Sequence, residues 1–137
     1  MTVIKSKRSE TKFEVLVKAY QLAALTIRLC SNEKHFPKRY RWVITSKIVD
    51  ESIDICRYIR KANRHLLDRD LPKEYTLRRK NQIKALGCID SMLTLMDIAY
   101  YTFNIEEKTI ENWTGKVVSL QTLLQNWKKS DEKFMKS

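Results

Sequence analysis

Asp90 and Asp97 are the first candidates for chemistry in this chain. A spacing of seven is about two helical turns, so both carboxylates share one helix face, where such a pair can serve as acid and base. No histidine, lysine or glycine-rich loop accompanies them at useful spacing. Ion pairing with basic residues on a neighbouring helix or subunit is therefore the favoured reading. Other reactive side chains are sparse. His35 falls in a turn, His65 falls in a basic run, and the serines and threonines stand without a matching base. The sequence has no Walker loop, dinucleotide fingerprint, HExxH or CxxC. Cys30, Cys56 and Cys88 lie on three different predicted helices without metal-ligand spacing. An odd set of this kind reads as reduced, buried thiols in a cytoplasm. The expectation is a protein that is not an enzyme and takes no metal or cofactor.

Charge is the stronger signal. The chain carries 27 Lys and Arg against 16 Asp and Glu, a net charge of +11. Ten of the cations fall within residues 57–84: Arg57, Arg60, Lys61, Arg64, Arg69, Lys73, Arg78, Arg79, Lys80 and Lys84. Only Asp68, Asp70 and Glu74 oppose them there. A cationic end on an otherwise mixed molecule points to a polyanion, nucleic acid first, with phosphate contacts that position a strand without reading its sequence. The competing readings are a solvated helix end and a dock for an acidic protein.

These residues must be held by helices. With two glycines and two prolines in 137 residues, and long runs at three- and four-residue spacing, the chain reads as one all-α domain. No stretch of about 20 uncharged apolar residues predicts a membrane span. Residues 1–11 read as a flexible basic tail without a signal-peptide core, and Thr11 with Glu14 has capping-box spacing. Helix 1 should run to Cys30, with Phe13, Leu16, Val17, Tyr20, Ala24 and Ile27 facing the core. Its far side is apolar too, and Val15, Leu22, Leu25 and Leu29 are assigned to a subunit interface.

Helix 2 occupies residues 36–66, opening at Pro37, with Ile44, Ile48, Ser52, Ile55, Ile59, Ala62 and Leu66 on one face. Trp42, Val49, Ile53 and Cys56 form a secondary strip. A linker around Pro72 precedes helix 3, residues 77–103, with a core of Leu86, Ile89, Met92, Leu93, Met96, Tyr100 and Phe103. Asn104 and Glu107 read as the cap of helix 4, whose stripe is Ile110, Trp113, Val117, Leu120, Leu124 and Trp127. Residues 131–137 should fray. The domain is then an antiparallel up-down-up-down four-helix bundle over residues 12–130, with the basic residues gathered at one pole.

The Phe36–Lys38 FPK, the basic-aromatic start and the Ile-rich helix ending IRKAN at 59–63 resemble small four-helix-bundle proteins of bacteria and phages. ALGCIDSMLTLMDIAYYTFNI (85–105) and NWTGKVVSLQTLLQNWKKS (112–130) are similar to the accessory variability determinant proteins encoded beside diversity-generating retroelement reverse transcriptases. A sister branch is encoded within intervening sequences of ribosomal RNA genes. SKIVDESIDICRYIRKAN (46–63) departs from that branch's NIAEG-like stretch. The resemblance implies a ring- or barrel-like homopentamer of four-helix protomers that binds a reverse transcriptase and RNA or DNA during mutagenic copying. It has two rivals: a protein-interaction module without nucleic acid, and an enzyme built on Asp90 and Asp97.

Overall fold

The structure is a computed structural model that describes residues 10–137, with side chains described from Glu14 onward. Residues 1–9 of the predicted tail and the side chains of Thr11 and Phe13 lie outside the described residues, while Glu10 and Thr11 already belong to the first helix. Among those described there are four α-helices and no strand: α1 (Glu10–Cys30), α2 (Ser46–Arg64), α3 (Pro72–Thr102) and α4 (Glu107–Lys136). A 3-10 turn (Lys38–Tyr40) and a π-turn (Arg41–Thr45) lead into α2. Contacts run α1 to α2, α2 to α3, α3 to α4 and back from α4 to α1, enclosing one core.

The stripes of α2 and α4 are buried as their spacing requires. Ile44, Ile48, Ser52, Ile55, Ile59 and Ala62 line one side, and Ile110, Trp113, Val117, Leu120, Leu124 and Trp127 the other. On α3 the centre is Ala85, Ile89, Met92, Met96 and Ala99. Leu86, Leu93 and Phe103 are only half-buried, and Tyr100 is exposed. The small Ala85 and Ala99, rather than the larger neighbours, sit where helices approach.

α1 turns its other face inward. Val15, Ala19, Leu22, Thr26 and Cys30 are buried, whereas Tyr20, Ala24 and Ile27 are exposed. Against this face lies the indole of Trp113, which is fully buried and finds an acceptor there. Thr26 supplies it: Trp113 Nε1 donates to Thr26 Oγ1 at 3.0 Å, and that hydroxyl donates to Leu22 O at 2.8 Å. Val15 and Leu22 therefore belong to the protomer core and not to a subunit interface, while Leu25 and Leu29 are half-buried.

The helix ends also differ from expectation. α2 stops at Arg64 because His65 is extended (φ −81, ψ 137), which leaves Leu66 exposed. α3 starts at Pro72, five residues before the expected Leu77, with proline in the first turn where its absent N–H is harmless. The Asn104–Glu107 capping box does not form: α4 begins at Glu107, flanked by Glu106, with no side-chain cap. α4 then continues to Lys136 instead of fraying from residue 131, because Asp131 is buried in a charged network.

The segment before α2 is anchored by aromatic rings. Phe36 meets Phe103 edge-on at 5.7 Å between ring centres and Trp113 at 6.0 Å. Tyr40 packs on Phe103 at 5.2 Å. Offset and edge-on pairs of this kind add about 0.5–1.5 kcal/mol each beyond their buried area.

Candidate nucleic-acid interface

α2 and α3 bring residues 57–84 together through a tightly bonded turn. Glu74, in the first turn of α3, accepts from the Leu66 amide at 3.1 Å and faces His65 Nδ1 at 3.3 Å. The Leu66 amide, then His65, hold the Glu74 carboxyl below its ordinary value of 4.5. Asp68 accepts from the Asp70 amide at 2.8 Å and shapes the rest of the turn. Two of the three local acids are thus engaged in backbone geometry.

Arg78 is the chief departure from the sequence-predicted set. It is 1 % exposed and cannot reach a phosphate. Its Nε donates to Asp131 Oδ2 at 2.6 Å and its Nη2 to Oδ1 at 3.2 Å, a bidentate pair. Nη1 donates to the His65 carbonyl at 3.0 Å, so the pair also fixes the end of α2. Gln82 Nε2 adds a bond to Asp131 Oδ2 at 2.9 Å, and the Trp127 ring lies 5.1 Å from the guanidinium carbon. The sequence carries a trace of this: residue 131 continues the α4 stripe at four-residue spacing from Trp127, and residues 78 and 82 continue that of α3.

Arg79 is half-buried and paired with Glu132, which Lys128 also approaches at 3.8 Å. That pairing raises the Arg79 pKa and lowers that of Glu132. Arg69 lies over the Phe134 ring at 4.2 Å and donates to Phe134 O and Ser137 Oγ. The final turns of α4 therefore occupy three of the ten predicted cations.

The other seven are exposed: Arg57, Arg60, Lys61, Arg64, Lys73, Lys80 and Lys84. Arg57 is 3.3 Å from Asp54, a weak surface pair. The remaining six make no ion pair among the described residues. Tyr58 ties the two helices into one surface, with Lys61 of α2 at 5.4 Å and Lys84 of α3 at 5.6 Å from its ring centre. Arg60 donates to the Tyr20 hydroxyl of α1 at 2.9 Å, extending the surface sideways.

Asp90 and Asp97 do not come together as a reactive pair. Both are exposed, Asp90 accepts a 3.3 Å bond from Gln121, and neither forms an ion pair among the described residues. The intramolecular pairing expected for them is not present. Nor does any group of three or more His, Cys, Asp or Glu side chains among the described residues assemble a metal-binding constellation. Among the same residues, no helix is long and apolar enough to cross a membrane.

A cleft of about 660 Å³ lies between α1 and α4, with Leu22, Leu25, Leu120 and Leu123 among its walls and Lys18, Arg28 and Lys116 as its cations. Compared with family models, curated proteins and solved structures, the chain gives no match in any of the three.

Proposed function

We propose that this protein is a non-catalytic, oligomeric accessory protein that binds RNA or DNA through the α2–α3 surface, in the manner of the accessory variability proteins that serve retroelement reverse transcriptases. The observation that carries the reading is the set of six exposed cations without ion pairs among the described residues, joined across two helices by the Lys61–Tyr58–Lys84 contact. Phosphates neutralise such a surface and release counterions, so binding weakens with salt. The bundle is read as antiparallel. Sequence separation between bonded residues shrinks from 53 at Arg78–Asp131 to 31 at Asp90–Gln121, which supports that reading.

The test is RNA affinity over a salt series, in the parent chain and in the quadruple variant Lys61→Glu, Arg64→Glu, Lys80→Glu, Lys84→Glu. Four phosphate contacts on a single strand give a log–log slope near −2.8, a loss of roughly 50-fold between 50 and 200 mM salt. Unchanged affinity in the variant refutes the surface. Binding of an acidic protein other than a reverse transcriptase, with indifference to RNA, returns the protein to the docking-module reading.

For self-association we take Tyr20, Ile27 and Ile53 as candidate residues, because their side chains are exposed on α1 and α2 while Val15 and Leu22 are buried. Ile27→Ser with Ile53→Ser should lower the solution mass with helicity intact, and an unchanged mass removes this face from the interface. Leu22→Glu should unfold the protomer instead.

A further inference from the structure

The start of the α2 segment holds a second surface that the basic pole does not include. Arg41, Trp42 and Val43 are three successive exposed residues on the π-turn. An α-helical register running back from Ile48 and Ile44 would carry one of them towards the core. The wider turn leaves all three in solvent, and such turns recur at functional sites. Trp42 is 79 % exposed, whereas Trp113 and Trp127 are at most 2 % exposed.

An indole left in water is a large apolar area without cover. Its neighbours in the sequence include four cations, Lys38, Arg39, Arg41 and Lys47, all exposed and none ion-paired among the described residues. The sequence has no acid between Glu33 and Asp50. Two residues before Trp42, Tyr40 is packed against Phe103 at 5.2 Å, and Arg39 lies 5.2 Å from the Tyr40 ring centre.

We propose that Trp42 is a stacking platform for an unpaired base of a single-stranded nucleic acid, with Lys38, Arg41 and Lys47 engaging the flanking phosphates. This rests on the nucleic-acid reading above but concerns a separate place. Trp42 and Lys61 are 19 residues apart, about 28 Å along a helix. Between them lie Asp50, Glu51 and Asp54, so the two basic surfaces are distinct. A duplex buries its bases in the stack and offers the indole nothing, whereas a single strand offers both a base and phosphates.

The test uses indole fluorescence, since only one of the three tryptophans is open to solvent. A short oligouridylate and an RNA duplex of equal length are titrated into the full chain. The oligouridylate should quench the emission, and Trp42→Ala should abolish that change. The same substitution should weaken oligouridylate binding by roughly 5- to 150-fold, the range expected from about 1–3 kcal/mol per stacked base, and leave duplex binding unaltered. Trp42→Phe should keep part of the affinity. At its exposed position neither change should alter the circular dichroism.

Oligouridylate binding without an emission change, or undiminished binding by Trp42→Ala, overturns the platform and leaves the α2–α3 surface standing. Emission from Trp42 that resists acrylamide in the free protein also overturns it, since a second copy of the chain then covers the ring. Loss of all nucleic-acid binding in the parent chain overturns both proposals.

Discussion

Asp131→Ala is the most informative single substitution. The carboxylate is 2 % exposed and accepts three hydrogen bonds, two from Arg78 at 2.6 and 3.2 Å and one from Gln82 at 2.9 Å. Removing it leaves Arg78 buried with only the His65 carbonyl and the Trp127 ring as partners. Breaking one side of a buried pair costs about 3–5 kcal/mol, because the surviving charge keeps its desolvation penalty. Against the roughly 5–15 kcal/mol of a typical domain, that is a large fraction. Urea unfolding followed by circular dichroism measures it directly, with a melting-temperature drop of roughly 10 °C or more as the thermal counterpart. The double change Arg78→Met with Asp131→Leu should recover most of the loss, since an apolar pair of similar volume carries no stranded charge. A loss under about 1 kcal/mol for Asp131→Ala would refute the reasoning, because an exposed pair is worth only that much.

Gly87 and Gly115 sit within α3 and α4, and an added Cβ at either meets nothing within 4 Å. Each Gly→Ala change should stabilise by about 0.5–1 kcal/mol in denaturant titrations, with assembly unaltered unless another subunit's backbone approaches there. Because the Glu74 carboxyl is held below 4.5, its contribution is present above that value and fades as pH falls through the lower, folded one. The Leu66 amide resonance should therefore move in an NMR titration below pH 4.5, and a Glu74→Gln chain should not show that step. Burial pushes the Cys30 and Cys88 thiols up to about 12 and Cys56 up to about 11. All three should react slowly with a thiol reagent at pH 8 and rapidly once unfolded, and a fast native phase would contradict their environments.

The helices were legible where apolar spacing was one-sided. The α2 and α4 stripes fall in the core because each has a single face rich enough to bury. On α1 both faces were apolar, and hydropathy could not rank them. The buried face is the one that carries Thr26, which bonds Trp113 87 residues away, a contact hydropathy does not register. Helix starts are less legible, because Pro72 suits a linker as well as a first turn, and Asn104 has capping spacing to Glu107 that the structure does not use. The charge excess over residues 57–84 was plain in the sequence, but composition does not say which cations are spent inside. Arg78 and Arg79 were lost to Asp131 and Glu132, more than fifty residues away. That pairing was hidden because the end of α4 was read as frayed.

The cleft beside α1 and α4 has a kinetic consequence. Those helices lie at the two ends of the chain, and their seam holds the cleft together with the Thr26–Trp113 bond, so it closes the longest loop in the bundle. The α2–α3 pair is joined by a short turn and makes the most extensive helix–helix contact among the described residues. Local, low-separation contacts form early and long-range ones late. The helix pair bearing the cationic surface should thus assemble first and open last, while the α1–α4 seam breathes. Amide exchange would then rank the helices by their place in the chain rather than by their hydrophobicity.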